Sequence, residues 1–404
     1  MSQRTLPGTV HPHLVAPMRA RDPSEEGRAA TPLELLFDLV VVVAVALAAD
    51  RLHHALIEGV GFAALVSYFL VFGALWWAWV NFTWFASAYD NDDVAYRVTV
   101  FVIMTGALVL AAGVPPLFDQ RDFTLAVLGY LIMRLALVTQ WLRVARDDPP
   151  RRAAALRFAI GITACQAGWA VLIFAPQVWP IAWAVILPIE LAIPYWAERA
   201  ARTTFNPEHI TERYGLFMII VLGESVLAAS LAIQTVIAGE GLTPELMTVI
   251  VGSLLIVYSM WWIYFDRPEE HLLENLPTAI AWSYLHLPIF AAVAAVGAGL
   301  VVAIEEASGH AHLGWTAVGA AVGVPLAVYL LSLWALYVRL LADRFHQLTV
   351  PVTALLILGA MLTPAPVLVM GLVLTAMVAV KVGLRVRDDR RAHAAPAESP
   401  AVFD

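Results

Sequence analysis

Stretches of about 20 mostly apolar residues recur along this chain, and each is long enough to cross a bilayer as one helix. We place about twelve of them, at residues 33–50, 61–84, 96–114, 123–142, 155–175, 178–196, 213–234, 246–265, 278–303, 313–337, 347–362 and 365–382. Only 14% of the 404 residues are charged, against about 25% in soluble domains. The pattern predicts an all-α fold, a polytopic membrane helix bundle.

The distribution of basic residues predicts the orientation of the bundle. Twelve spans place both ends of the chain on one side, and all but three of the 24 Lys and Arg residues lie on that side. The exceptions are Arg51 and Arg121, in loops on the other side, and Arg134, inside the fourth span. Because basic loops stay in the cytoplasm, we expect a protein of the bacterial inner (cytoplasmic) membrane with both termini cytoplasmic. The polar ends, residues 1–30 and 385–404, are predicted to be disordered cytoplasmic tails.

The two halves of the membrane part, residues 31–200 and 205–384, share features. Each has a Trp pair near the end of its second span, followed by an acidic loop. The pairs are Trp76-Trp77 and Trp261-Trp262. Each half would hold an even number of spans, about six, so the halves are predicted to be parallel repeats related by an axis along the membrane normal. Trp pairs are also typical of the aromatic belt at a membrane interface, which leaves a chance likeness open.

Several motifs resemble one bacterial family. The segment TPLELLFDLV at residues 31–40 resembles the opening ELxFDLV motif of the low temperature requirement protein A family. The ERYGLF and LGES segments within residues 212–225 resemble the ERxGLF and LGES block of that family, and YLHLP at residues 284–288 also fits it. The resemblance covers residues 31–385 and implies a polytopic inner-membrane protein. It implies no established reaction, so no catalytic residue is transferred from it.

Six ionisable side chains fall inside predicted spans, where a charge costs several kcal/mol. They are Glu34, Asp38, Arg134, Glu190, Glu224 and His286. One interpretation is a shared polar pathway, in which the carboxylates relay a proton or bind a small cation. Arg134 would then keep one carboxylate ionised, and His286 would titrate near neutral pH. The other interpretation is structural, with Arg134 paired to Glu190 or Asp38 and the remaining groups hydrogen-bonded to neighbouring helices.

The sequence offers little for soluble catalysis, metal binding or nucleic-acid binding. Its single cysteine, Cys165, excludes a disulfide framework, and it contains no P-loop, dinucleotide fingerprint or nucleophile elbow. His53-His54 and the pair His310 and His312 supply too few ligands for a zinc site. We therefore expect no cofactor and no metal site. The net charge of −8 gives no basic surface for nucleic acid.

Three functional hypotheses follow from these features. The favoured one is a transporter or channel, not an enzyme, that moves a proton or small cation through the buried carboxylates, with coupling to a solute left open. The second is a membrane-embedded enzyme that acts on a lipid through Asp38, Glu224 and His286 as acid–base groups or metal ligands. The third is a scaffold or sensor without flux. Besides a proton or cation, the bilayer is the partner that the sequence indicates, and the oligomeric state is left open.

Overall fold

The computed structural model describes residues 13–59, 61–266, 270–273, 275–337 and 344–394. In chain order its helices are α1 Pro32–Ile57, α2 Gly61–Tyr89, α3 Val94–Ala112, α4 Val114–Gln120, α5 Thr124–Asp147, α6 Arg152–Phe174, α7 Trp179–Glu198, α8 Pro207–Glu240, α9 Pro244–Tyr264, α10 Leu276–Ala307, α11 Trp315–Leu336, α12 Arg344–Ala360 and α13 Pro366–Ala394. Within these ranges there is no strand, and short 3-10 turns join some helices. The prediction of an all-α bundle is confirmed.

Eleven helical segments among the described residues are long and apolar enough to cross a bilayer, with α3 and α4 together forming one of them. The chain is therefore a polytopic membrane protein. The predicted span at residues 347–362 corresponds to α12, whose apolar part, Gln347–Ala360, is shorter than the other segments. At 1.5 Å per residue the 17 residues of the whole helix α12 extend about 25 Å, which is slightly less than the roughly 30 Å of a hydrocarbon core.

Three helices begin at the same local signal, a polar residue followed by proline. Thr31, Asn206 and Thr243 precede the first residues of α1, α8 and α9. The side-chain oxygen of each accepts a hydrogen bond from the backbone N–H three residues later, at 3.3, 2.9 and 3.1 Å respectively. This contact satisfies one of the free N–H groups at a helix start, while proline at the first helical position loses no hydrogen bond.

The chain divides into two compact units. Unit 1 comprises Met1–Glu224 and Pro268–Ala294, and unit 2 comprises Ser225–Arg267 and Ala295–Asp404. Helices α8 and α10 contribute residues to both units. The predicted six-helix repeats concern the similarity of the two halves of the chain. The division into compact units does not measure that similarity, so the repeats stay a prediction.

In unit 1, glycines bring the backbones of α3 and α5 into contact. A Cβ atom added to Gly129 would lie 2.3 Å from the backbone nitrogen of Leu110, and one added to Gly106 would lie 2.8 Å from the carbonyl oxygen of Gly129. Neither position could accept even a methyl group without moving a helix. Such small residues are what allows close helix packing in membranes, and here they determine the position of α5.

Unit 2 has a similar close approach between α9 and α13. A Cβ atom at Gly252 would lie 2.6 Å from the backbone nitrogen of Leu368, and one at Gly371 would lie 2.7 Å from the carbonyl oxygen of Gly252. In the same unit, the Tyr329 hydroxyl donates to the carbonyl oxygen of Met260 at 2.6 Å. Hydrogen bonds of this kind, in addition to close packing, hold membrane helices together.

The described part of the N-terminal tail, residues 13–30, contacts the end of α2 and the residue before α3, and the disorder of the tail stays a prediction. The Arg28 side chain is buried and donates to the carbonyl oxygen of Ala86 at 2.9 Å, near the end of α2. The backbone N–H of Ala16 donates to the Asp93 carboxylate at 2.8 Å. A guanidinium at the end of a helix satisfies carbonyl groups that lack partners within the helix. Residues 1–12 lie outside the described residues.

The C-terminal tail predicted for residues 385–404 begins as a continuation of a helix. Helix α13 extends to Ala394, so the first ten residues of that tail are helical. Arg385 Nη1 lies 3.0 Å from Asp266 Oδ1, which follows α9, and this ion pair joins two segments of unit 2. Residues 395–404 lie outside the described part of the chain.

Candidate functional site

Two carboxylates project from the beginning of α1. The side chain of Thr31 caps the helix, and the Glu34 carboxylate accepts the Thr31 backbone N–H at 2.9 Å, which completes a capping box. Asp38 lies one turn further along the helix, so its carboxylate projects from the same face as that of Glu34. The local sequence therefore brings two acidic groups together at one helix end.

Arg213 of α8 contacts both carboxylates. Its Nη1 atom lies 2.7 Å from Glu34 Oε1, and its Nη2 atom lies 2.5 Å from Asp38 Oδ1. Nε2 of His209, one turn earlier on α8, is 3.4 Å from Glu34, and the Trp79 indole N–H donates to Asp38 Oδ1 at 2.7 Å. The four ionisable residues are at most 1% exposed. We call Glu34, Asp38, His209 and Arg213 the α1–α8 charge cluster.

The α1–α8 charge cluster has more acidic than permanently basic groups. With both carboxylates ionised and the imidazole neutral it carries one net negative charge, and one added proton makes it neutral. Among the described residues, Asp38 Oδ2 and His209 Nδ1 have no hydrogen-bond partner. Because an uncompensated charge is costly away from water, this arrangement favours the binding of one proton.

Asp90 lies in the loop after α2, outside the membrane-spanning helices and beside this cluster. Burial and the negative charge of Glu34 raise the pKa of Asp90 to about 6, although Arg28 and Arg21 act in the opposite direction. Arg21 Nη1 is 3.7 Å from Asp90 Oδ2. A carboxyl group with such a pKa exchanges protons near neutral pH.

Arg134 and Glu190 form a second buried pair, the α5–α7 charge cluster. Arg134 Nη2 lies 3.3 Å from Glu190 Oε1, and both side chains are 1% exposed. The Glu190 carboxylate also accepts the Tyr130 hydroxyl and the Trp169 indole N–H, each at 2.8 Å, and the Gln166 amide at 3.4 Å. Its charge is therefore balanced and its oxygens are occupied, which agrees with the structural interpretation of Arg134.

His286 and Glu224 are members of neither charge cluster. His286 is fully buried, with Nδ1 2.8 Å from the carbonyl oxygen of Trp282 and with its ring against that of Tyr214. Glu224 is half-buried near the middle of α8. The structure thus brings Glu34 to Asp38 and Arg134 to Glu190, but it does not bring the six predicted pathway residues to one place.

Sequence reasoning missed Arg213 and His209. It assigned Arg213 to a cytoplasmic loop and treated Arg134 as the single deep cation, whereas Arg213 is fully buried as well. The reason is that α8 begins at Pro207, before the predicted start of this span at residue 213. The Asn206-Pro207 start signal, read as a cap, would have placed both residues on the helix.

Three cavities follow α2 through unit 1, and the first lies at its N-terminal end. It has a volume of about 380 Å³ and is lined on α2 by residues between Phe62 and Leu70. Its other walls carry charged groups, among them Arg51 and Asp119, whose side chains are 3.5 Å apart. This end is therefore suited to a hydrated solute.

The middle cavity has a volume of about 340 Å³ and is lined on α2 by residues between Phe69 and Trp77. Helices α5, α6 and α7 supply most of the remaining wall, which is aromatic and aliphatic. Glu190 of the α5–α7 charge cluster and Tyr130, which donates to it, also line this cavity. Glu190 is thus the one predicted pathway residue that lines any of these three cavities.

The third cavity is small, about 60 Å³, and is lined on α2 by residues between Trp77 and Phe85. Glu198 and Thr203, at the end of α7, give it polar groups. The first and middle cavities share walls, and the middle and third share the Trp77 ring. From Phe62 to Phe85 the series covers about 35 Å of helix, close to the roughly 30 Å of a hydrocarbon core.

One group of three side chains that could bind a metal ion lies close together among the described residues. Asp50, His53 and His54, near the end of α1, have ligand atoms within 4.8 Å of one another. His54 Nε2 lies 3.6 Å from Asp50 Oδ1. A structural zinc site uses four protein ligands, and a catalytic site uses three in an enclosed pocket. Asp50 and His54 are exposed, so we assign no ion to this group.

Comparison with known proteins gives a match over most of the chain. A family model described as bacterial low temperature requirement A protein matches residues 29–382. An uncharacterized protein of Rhizobium meliloti (strain 1021) is 28% identical over 310 residues, which is 72% of this chain and 72% of the relative. No solved structure matches. The family resemblance predicted from the motifs is confirmed.

Proposed function

The chain belongs to the bacterial low temperature requirement A family, and on that premise we propose that it is a transporter that couples a solute to a proton or small cation. The cavity series along α2 carries the proposal. It extends over the thickness of a bilayer, has charged or polar lining residues at both ends, and its neighbouring cavities share lining residues. Transporters bind their solutes in cavities of this kind near the membrane midplane.

The α1–α8 charge cluster supplies the coupling site in this proposal. Its surplus carboxylate lets it hold one exchangeable proton, and it is enclosed within unit 1. Asp90, in the loop after α2, has a pKa raised to about 6 by burial and would pass protons from water to this cluster. Arg213 would then keep the remaining carboxylate ionised in either protonation state.

The proposed location is the inner membrane, with both termini in the cytoplasm. This topology requires α12 to cross the bilayer despite its shorter apolar part, which a modest local thinning of the bilayer permits. It places most of the basic residues on the cytoplasmic side, as the positive-inside rule demands, although Arg213 is buried among the helices. The first cavity then opens outward and the third inward.

A scaffold without flux is the second candidate, and a specific observation favours it. Both charge clusters pair their members so closely that they also serve as links between helices. In that case neutralising an acid would weaken the fold without altering any flux, because no flux exists. A membrane-embedded enzyme acting on a lipid would require a reactive group beside a cavity, and Glu190, which lines the middle cavity, is already paired with Arg134.

Proton uptake into proteoliposomes tests the proposal. A potassium gradient with valinomycin provides the driving potential, and an internal pH-sensitive dye reports uptake. We expect uptake about tenfold above that of protein-free vesicles, and a return to the protein-free rate for Asp38→Asn. Asp122→Asn, an exposed loop change that keeps its capping oxygen, is the matched control and should resemble the native protein. Uptake by the native protein that Asp38→Asn does not reduce would contradict the proposal.

A further inference from the structure

The described part of the N-terminal tail crosses the end of unit 1 at which α2 ends and α3 begins. We call residues 13–30 the N-terminal strap. Near its beginning, the backbone N–H of Met18 donates to the Asp147 carboxylate, at the end of α5, at 3.1 Å. Near its other end, the side-chain amide of Asn206, directly before α8, donates to the carbonyl oxygen of Glu25 at 2.8 Å. Both ends of the strap are therefore attached to the helices of unit 1.

The middle of the strap, residues 19–24, is attached more weakly. Among the described residues it makes one backbone hydrogen bond to a helix, in which the Arg21 N–H donates to the carbonyl oxygen of Ala88 at 3.0 Å. Other hydrogen bonds lie within the strap, such as that from the Ser24 hydroxyl to the Asp22 carboxylate at 2.6 Å. Segments with few contacts open locally while better attached parts stay in place. The middle can therefore move away from the helices while both ends hold.

The middle of the strap covers the Asp90 side chain. Arg21 Nη1 is 3.7 Å from Asp90 Oδ2, and the Asp90 side chain is only 6% exposed. Asp92, two residues later in the same loop, has a side chain that is 57% exposed, so the loop itself faces water. The Arg21 guanidinium is also held within the strap, since its Nη2 donates to Glu25 at 2.7 Å. The cover over Asp90 is therefore local and includes a side chain of the strap.

We propose that the middle of the N-terminal strap is a lid over Asp90, held closed by Arg21, that opens to give this carboxyl group access to water. Opening releases the backbone hydrogen bond to Ala88 and the contact between Arg21 and Asp90, while Glu25 retains the guanidinium. The lid then determines how fast protons from water reach the α1–α8 charge cluster. This consequence for transport rests on the proposed function, whereas the cover over Asp90 does not.

Thiol accessibility tests the cover without any measurement of flux. In a Cys165→Ser background, Asp90→Cys places a thiol under the lid, and Ser24→Cys places one on the exposed part of the strap. A water-soluble thiosulfonate should modify position 90 about tenfold more slowly than position 24, because the reaction waits for the lid to open. Arg21→Ala removes the covering side chain and should abolish most of this difference. Arg19→Ala, an exposed change in the same segment, is the matched control and should preserve it.

Two results of the thiol measurement would overturn the lid. The first is an equal rate of modification at positions 24 and 90, which would show that Asp90 is open to water. The second is a slow rate at position 90 that Arg21→Ala does not increase, which would show that the cover does not depend on this side chain.

Proton uptake into proteoliposomes tests the lid with Asp90 intact. Arg21→Ala should raise the maximal rate of uptake about 3–10-fold, because Asp90 is then in contact with water for more of the time. Arg19→Ala should leave the rate unchanged. Loss of the Arg21 charge alone would shift the pH dependence of uptake to higher pH without raising the maximal rate. Measuring the rate across the pH range separates the two effects, and a shift without faster uptake would contradict the lid.

The lid and the transporter fail independently. A protected thiol at position 90, together with uptake that Asp38→Asn does not reduce, would support the lid and contradict the transporter. Uptake that requires Asp38, together with equal thiol rates at positions 24 and 90, would support the transporter and contradict the lid.

Discussion

Arg213 Nη2 lies 2.5 Å from Asp38 Oδ1, although the two residues are 175 positions apart in the chain. Because Arg213 also contacts Glu34, one permanent cation is shared by two acids from the start of α1. Helices α1 and α8 are therefore joined by charge at a depth where water does not screen it. The pairing makes the cluster both a structural link and a site that can accept one proton.

Removing the Arg213 cation should destabilise the protein strongly. Arg213→Gln leaves two buried carboxylates without their counter-charge, and we expect a loss of about 3–5 kcal/mol in the free energy of unfolding. Thermal unfolding in detergent measures the loss. Arg97→Gln, which breaks an exposed pair with Asp92, is the control and should cost less than about 1 kcal/mol.

A double variant separates the charge effect from the loss of packing. Combining Arg213→Gln with Asp38→Asn removes one charge of each sign, so it should recover about half of the stability that Arg213→Gln loses. The same thermal unfolding assay measures the recovery. Strictly additive losses in the double variant would show that the two residues do not interact in the folded protein.

Asp90 should make stability depend on pH in a defined direction. Its folded pKa is raised from 3.8 to about 6, chiefly by burial, so the folded state holds a proton that the unfolded state has released. The contribution to stability is therefore complete below about pH 4 and is lost as the pH rises through about 6. Asp90→Asn should lack this loss. The difference between the melting temperatures of the variant and the native protein should therefore increase in favour of the variant from about pH 5 to about pH 7. A constant difference would mean that the pKa of Asp90 is ordinary.

The close approach of α3 and α5 should tolerate no side chain at Gly129. A Cβ atom there would overlap the backbone of α3, so Gly129→Ala should cost about 1–3 kcal/mol and Gly129→Leu should prevent folding. Gly223→Leu is a matched control in another helix of unit 1, since a Cβ atom at Gly223 meets no atom within 4 Å. The yield of monodisperse protein in detergent compares the variants, and equal yields would contradict the packing described.

The sequence predicts some of these features and could not predict others, for physical reasons. Apolar length places the spans, and helical periodicity places Glu34 and Asp38 on one face. A buried guanidinium must find an acid, so the sequence predicts that Arg134 pairs with Glu190 or Asp38, and the structure shows that the partner is Glu190. The contact of Arg213 with Asp38 depends instead on how distant helices pack. The cavities could not be found either, since membrane helices are apolar on nearly every face and their periodicity does not show which face lines a cavity.

The central claim is that the cavities along α2 form the route through unit 1, and cysteine accessibility tests it most directly. Cys165 is the single native cysteine, so Cys165→Ser provides a background without thiols. Ser67→Cys lies in the first cavity and Asn81→Cys in the third, while Leu65→Cys and Thr83→Cys lie on α2 outside all three cavities. A membrane-impermeant thiosulfonate should modify the position 67 thiol from outside and the position 81 thiol from inside, each about tenfold faster than its neighbouring control. Equal rates at positions 65 and 67, or protection of position 81 from both sides, would contradict the account.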